Sequence, residues 1–522
     1  MLPEGALAQH VDPHLQHDPH PQQAENLTIQ PRNFHRVYRI HPGIGVSRLG
    51  NSHAADGYFV GPEVPDIDFV PPGGQYRDAG QNIRRQGTRF RIYEYSYLVF
   101  HPPFILRPAR PFVREITADE AEITWHVHLA NLKSLTPNGQ PAPNDPGDQT
   151  IGGLNQSVDV TGAVLGASVQ LGTLKTDDKG RLIVLGGFGK SASPTIPPSP
   201  LTGLYSRGWY DDVSDGPVRA TIKLKHGGTQ PPVEPAWVLV GVSRFAEPIS
   251  AIVTMYDLAY DMATKLPAPN TLTPPAQVSF TRDIYPVLFR VVMMQWVIQT
   301  ARAAHSGATG GNFLNPAIFN LLKDNNATPG SPARVAREHV NDKLRPPGNM
   351  PDLFNLQLTD TQRAQFKSWA AGNFAADWAG VPVVKPFSAL TPLEQTRALE
   401  MTGLWTAVGG AFSPGIEAGA IVGQPTTYER PFRINTALPP GSLTQSLSIP
   451  WQADYRACGL RWWPSGRPDE VTQDGTNFYE WIPASLSSDQ LVQDWWKLGF
   501  ISKKQIGMSI AYVEEERLLP TT

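Results

Sequence analysis

Cysteine is all but absent. Cys458 is the single one in 522 residues, so no intrachain disulfide exists and the fold does not depend on an oxidising compartment. Neither sign of charge dominates: Lys plus Arg number 44 and Asp plus Glu 47, a formal charge of −3. That balance leaves no electrostatic footprint for nucleic acid or for an anionic membrane. Long apolar runs are missing as well. The best membrane candidate, Tyr285–Val297, is short and contains Pro286 and Arg290, so it reads as a buried helix. Met1–Pro31 lacks the basic start and apolar run of a secretory signal. These absences point to a soluble, cytoplasmic protein, with non-classical export left open.

What is present is enough apolar material for a large core. Hydrophobic residues make up 40% of the chain, which excludes a disordered protein. Pro (51) and Gly (46) exceed average usage, so the fold is rich in turns and irregular loops. At about 100–200 residues per domain, the length suggests two to four domains.

Residues 1–33 read as a flexible tail. His10, His14, His17 and His20 are interleaved there with Pro and Gln, an arrangement that offers a metal only a poorly organised site. From residue 34 to 275 the signals are those of strands: Phe90–Phe100, Ala121–Leu129, Arg181–Leu185, Val218–Leu224 and Pro235–Val242 are β-branched and aromatic runs broken by Gly, Pro, Asn and Asp. Alternation in Ala121–Leu129 puts Trp125, Val127 and Leu129 on one face and His126 and His128 on the other. No Cys, Asp or Glu pattern completes a metal site around that pair, so no metal is expected. The run Leu185–Ser191 resembles a phosphate loop, but the required first glycine falls on Val184. It reads as a Gly-rich turn after a strand.

Beyond residue 276 the pattern turns helical. Asp283–Arg302 carries Ile284, Val287, Leu288, Val291, Met294 and Ile298 at helical spacing, and Val292, Met293 and Trp296 widen that face. Leu358–Phe374, with Thr359 and Asp360 as cap candidates, and Leu393–Val408 are further helices. The remainder is irregular and rich in Trp. The expected class is α+β: a β-rich N-terminal part, 34–275, packed on a mainly helical and irregular C-terminal part, 276–522, that carries the functional site.

The chemistry concentrates in Pro450-Trp451-Gln452-Ala453-Asp454-Tyr455-Arg456-Ala457-Cys458 and the following Arg461–Asp469. A lone cysteine is most often a small buried hydrophobe. This one follows an aspartate by four residues in a Trp-rich setting, and Arg456 and Arg461 favour its thiolate. A thiolate, an acid and an indole are the ingredients of a quinone cofactor made from side chains.

Here the sequence resembles the L-lysine ε-oxidase and glycine oxidase group of cysteine tryptophylquinone enzymes, over about residues 36–510. The resemblance rests on the order of several motifs: His41–Ser52 (HPGIGVSRLGNS), Gly61-Pro62-Glu63, Trp209–Val218 (WYDDVSDGPV), Ser279–Pro286 (SFTRDIYP), Gly409–Glu417 (GGAFSPGIE), the Trp451–Cys458 segment, and Trp495–Phe500 (WWKLGF). It implies a protein-derived quinone in which the sulfur of Cys458 is bonded to an indole that has gained two oxygens. Trp495 is the matching tryptophan, three residues before Leu-Gly-Phe. Trp496 is the fallback, and Trp462 or Trp463 fit less well. By analogy with a disulfide closing a loop of a few tens of residues, the bond contributes about 3–4 kcal/mol to stability.

The activity implied is an amino-acid oxidase that deaminates a primary amine, free or peptide-borne, to an aldehyde or 2-oxo acid, with ammonia and hydrogen peroxide as co-products. Asp454 is the base implied, and it also assists formation of the cross-link. Ser413, Glu417 and Tyr210 are candidates for the substrate pocket. The implied partners are the amine, dioxygen and a flavoprotein that matures the cofactor; a homo-oligomer is left open. One departure from the glycine-specific relatives is plain: no His follows His339. Two other readings share the fold, a scaffold protein without a matured quinone and a dehydrogenase that passes electrons to a protein acceptor.

Overall fold

The segment Ala121–Val127 alternates as its sequence requires: Ala121, Ile123, Trp125 and Val127 are buried, while Glu122, Thr124 and His126 are not. It belongs to a 13-stranded sheet built wholly from residues 34–241 of the computed structural model, which describes residues 34–65, 68–98, 111–344, 358–408, 417–457 and 466–521. The tail 1–33, Ser413, Cys458, Trp462 and Trp463 lie outside the described residues.

The longest strand, Arg85–Leu98, organises the sheet. It pairs antiparallel with Phe34–His41 (Ile40 opposite Ile92), with Phe112–Ile116, and with Leu182–Gly186 (Val184 opposite Thr88). From Leu182–Gly186 the sheet continues through Ala167–Thr176 to the edge strand Ser157–Val164. On the other side Ile44–Arg48, Ala236–Gly241, Ser214–Leu224, Ala121–Val127 and Gln149–Gly152 follow in spatial order. Ala236–Gly241 is buried along its whole length, as its unbroken apolar run predicts.

The helical half begins earlier than the sequence reading has it, with Met255–Ala263, whose Thr254 and Asp257 form a capping box. The expected helix over 283–302 is also broken. Phe280–Ile284 is a π-helical turn, Tyr285–Met293 is α-helical and buried at every position, and Met294–Trp296 narrows to 3₁₀ before Gln299–His305 resumes. The cause lies in the tertiary fold. The carbonyl of Val297 accepts from the amides of Asp469 and Glu470 at 3.0 and 3.1 Å, and this pulls the β-branched pair Val297-Ile298 out of the helix. The other two expected helices are present as Asp360–Ala370, capped by Thr359, and Pro392–Thr406.

Phe500–Ile506 and Ser509–Glu515 form a hairpin that the sequence reading did not anticipate. Phe500 stacks on Tyr76 (centroids 4.3 Å) and on Phe245 (4.8 Å), and the amide of Ile501 donates to the Phe245 carbonyl at 2.7 Å. One hydrophobic cluster therefore runs from Tyr38 to Tyr512 through both halves. Among the described residues no helix is long and apolar enough to cross a membrane.

Candidate active site

Trp495 follows directly on the helix Ser488–Asp494, whose N-cap Ser487 and Gln490 form a capping box. Its ring is buried to 3% exposure among aromatic edges. Trp451 meets it at 4.9 Å and 77°, and Phe245 at 6.4 Å and 84°. Edge-to-face pairs of this kind contribute about 0.5–1.5 kcal/mol beyond the area they bury. Trp451 leads into the short helix Ala453–Ala457, and Tyr455 packs edge-on against Trp451 at 5.4 Å. The segment carrying Asp454 and leading to the cysteine is thus packed beside Trp495.

The opposite side of the ring rests on the Gly-rich turn. After the strand Leu182–Gly186, Gly187–Lys190 turns the chain into the bridging pair Ser191-Ala192 with Tyr210-Asp211. Gly189 has φ +69°, and a Cβ there would lie 2.1 Å from Cζ2 of Trp495 and 2.9 Å from Cη2. Only glycine allows both the conformation and the approach. Gln452 ties the turn to the Trp451 segment: it accepts from the Ser191 hydroxyl at 2.7 Å and donates to the Gly189 carbonyl at 3.4 Å.

Trp495 and the half-buried Trp496 line a cleft of about 810 Å³. The turn forms its floor. The edge strands of the sheet supply a polar wall through Asp159, Gln170, Thr173 and Lys175, and the Asn51–Tyr58 segment closes another side. Phe188 projects into the cleft between His53, stacked at 4.0 Å, and the Arg85 guanidinium, 4.3 Å above its ring.

Two adjacent aspartates behind the turn have different fates. Asp211 is fully paired. Its Oδ2 accepts from Lys133 Nζ at 2.7 Å and from the Trp451 amide at 3.0 Å, and its Oδ1 from Asn131 at 2.9 Å. Asp212 lines the cleft and is buried to 1% exposure. Its Oδ2 accepts from the Lys190 amide at 3.0 Å, while Oδ1 has no hydrogen-bond partner. Burial pushes its carboxyl up to about 7; the Lys190 amide opposes that rise and the charge of Asp211 adds to it.

The other candidates fall in different surroundings. Asp454 is buried at 2% in the first turn of its helix, and its charge helps raise the phenol of the neighbouring Tyr455, which burial already holds well above its ordinary value. Among the described residues the cleft lining includes neither Asp454, Glu417 nor Tyr210. Glu417 is wholly buried, ion-paired with Arg48 and accepting the amide of Val408, an arrangement that locks helix end to sheet. Tyr210 belongs to the hydrophobic core. His126 bonds Thr150 and Thr221, and His128 bonds Asp145. The sequence reading passed over Gly189 and Asp212. The signal for the first was a glycine turn rejected as a phosphate loop; the second stood inside a motif noted for its tyrosine.

Comparison with known proteins bears on the family and the fold. Residues 41–150 and 140–240 match the family model for the L-lysine ε-oxidase N-terminal region, and residues 347–481 match that for the L-lysine ε-oxidase C-terminal domain. The L-lysine 6-oxidase of Marinomonas mediterranea is 25% identical over 585 residues, covering 86% of this chain and 76% of the relative. In fold, the chain is similar to the crystal structure of the Schiff base intermediate of L-Lys ε-oxidase from the same organism with L-Lys, at a TM-score of 0.69 and 20% identity, covering 92% of this chain and 95% of that one. A second crystal structure of that enzyme gives a TM-score of 0.68.

Proposed function

The chain belongs to the L-lysine ε-oxidase family, and on that premise we propose that it deaminates a primary amine of an amino acid, or a peptide-borne amine, with a cysteine tryptophylquinone made from its own Cys458 and Trp495. That group supplies the electrophilic carbonyl and electron sink that ordinary side chains lack, with dioxygen as the terminal acceptor. The products are an aldehyde or 2-oxo acid, ammonia and hydrogen peroxide.

The observation that carries this reading is the double position of Trp495. One side of its buried ring lies at the cleft and against Gly189, and its Trp451 contact belongs to the segment that leads into the helix Ala453–Ala457, next in sequence to the only cysteine. The residues present fit the group. The benzo edge, Cζ2 and Cη2, faces a backbone cradle that any side chain at 189 would fill. The burial of the ring excludes bulk water, and the aromatic contacts fix its plane.

Substrate enters along the polar wall of the cleft. Arg85, held by Thr173 and the Gly186 carbonyl at 3.1 and 3.2 Å, and Lys175 are placed to take a carboxylate. Asp454 removes the proton from the carbon that bears the nitrogen, and during maturation it accepts the proton released as the thioether forms. The Lys133–Asp211 pair holds the Trp451 amide, and through it the ring edge against Trp495.

Intact mass of the full chain, produced together with a flavoprotein maturation partner, tests the reading. The expected mass exceeds the sequence mass by two oxygens less four hydrogens, with visible absorbance and peroxide release on turnover. An unmodified mass would overturn it, and Cys458→Ala should remove the increment.

A further inference from the structure

We propose that Asp212 is the cleft's receptor for the substrate's ammonium group, pairing with it through Oδ1 and taking its proton to release the neutral amine. The assignment rests on the reading above for its substrate class. It rests on geometry for its residue.

Asp212 sits where an amine must arrive. Its carboxylate lies under the Gly187–Lys190 turn so tightly that a Cβ at Gly187 would stand 2.4 Å from Oδ2, and two residues further on the same turn touches the Trp495 ring. Oδ2 is satisfied by the Lys190 amide, and Oδ1 is the unmet acceptor. A buried carboxylate is costly unless paired, and among the described residues no cation is paired with this one. Arg85 is near enough to feel its charge, but its Nη1 is bonded to Thr173 and the Gly186 carbonyl, and it forms no ion pair with Asp212 among the described residues. Lys133 is committed to Asp211. The missing partner is a cation that comes and goes.

The proton balance is simple. R–NH₃⁺ and the Asp212 carboxylate become R–NH₂ and the carboxylic acid, with no change in oxidation state. The groups that set the carboxyl's titration are Asp211 beside it in the chain, Arg85 from the sheet, and the amides of Phe188, Lys190 and Asp212 itself. His53, Tyr58, Asp159, Lys175 and the Lys190 side chain complete the ionisable lining of the cleft. The same burial that raises the acid lowers an amine, so donor and acceptor approach one another.

The test separates binding from turnover. In full-length Cys458→Ala, which cannot form the quinone, n-butylammonium chloride is titrated calorimetrically in buffers of different ionisation enthalpy. Binding is expected, with release of a fraction of a proton near pH 7 as the carboxyl ionises to pair with the cation. In Cys458→Ala/Asp212→Asn the affinity should fall by about tenfold or more, and the proton release should vanish. Equal affinities in the two proteins would overturn the assignment. Should the double variant fail to fold, the pH dependence of proton release by Cys458→Ala alone decides: release centred near pH 7 supports the assignment, and its absence overturns it. In mature enzyme, Asp212→Asn that keeps the mass increment should lose about a hundredfold in kcat/KM at pH 7, a gap that narrows as the pH approaches the amine's own pKa. A wild-type protein without the mass increment would sink the quinone reading and leave the binding result standing, so the two failures are distinct.

Discussion

The Trp495 ring fills the space that a side chain at Gly189 would need: a Cβ at position 189 would lie 2.1 Å from Cζ2 on the ring's benzo edge. A turn that resembles a failed phosphate loop is therefore the seat of the buried tryptophan, and its positive φ and its missing side chain serve a single contact.

Gly189→Ala should accordingly damage both stability and maturation. A non-glycine residue at this φ costs about 1–3 kcal/mol, and the overlap with Trp495 adds to that. Thermal unfolding should show a lowered Tm, and the fraction of protein carrying the mass increment should fall. A variant that matures fully at wild-type Tm would refute the contact.

Asp454→Asn should slow turnover by at least about a hundredfold, the lower end of a general base's contribution. The rate must be taken per quinone, since lost maturation would imitate lost catalysis. Mature variant that reduces its cofactor at near wild-type speed would reassign the base.

Asp212 should weaken the fold as the pH rises from acid to neutral. Its carboxyl is raised from 3.8 to about 7 on folding, so the native state binds a proton that the unfolded chain releases. Stability from this residue is unaffected below pH 3.8, falls as the pH rises through the interval, and is fully lost above 7, by about 4 kcal/mol. Asp212→Asn has no such penalty. Its Tm relative to wild type should rise between pH 4 and pH 8; a constant difference would mean the carboxyl is not raised.

Lys133→Met should be costly. Its ammonium and the Asp211 carboxylate are both buried, 2.7 Å apart, and removing one member leaves a buried charge that also holds the Trp451 amide. Breaking such a pair costs about 3–5 kcal/mol, readable as a shifted midpoint in urea. Lys133→Met/Asp211→Asn should recover part of the loss.

Separating the halves should fail. Phe245 of the N-terminal part is stacked on Phe500 and edge-on to Trp481, at 4.8 and 4.9 Å, so a fragment of residues 1–275 would expose the aromatic centre of the core. Limited proteolysis is expected to yield no stable fragment with that boundary.

Much was settled by sequence alone. Alternation in Ala121–Leu129 and the apolar run Ala236–Gly241 determined strands and their buried faces, because a period of two leaves a side chain no choice of face. Thr359, followed three residues later by Gln362, marked where one helix starts, because an N-cap is satisfied within its own turn. The Asp454–Cys458 spacing and the Trp495–Phe500 run determined the family resemblance. What only the tertiary structure decided depended on partners far away in the chain. The helix near Val297 breaks because Asp469 and Glu470 claim its carbonyl. Glu417 became a partner of Arg48, and Tyr210 part of the core, although both stand in motifs beside the site. Asp211 and Asp212 are identical neighbours in the sequence. They differ because Lys133 and the Trp451 amide, from opposite ends of the chain, converge on the first, while the second meets the wall of a cleft assembled from strands and a C-terminal helix. Local periodicity fixes what a residue does to its own backbone; the charge state and exposure of a buried carboxyl are set by whatever the fold brings within a few ångströms of it.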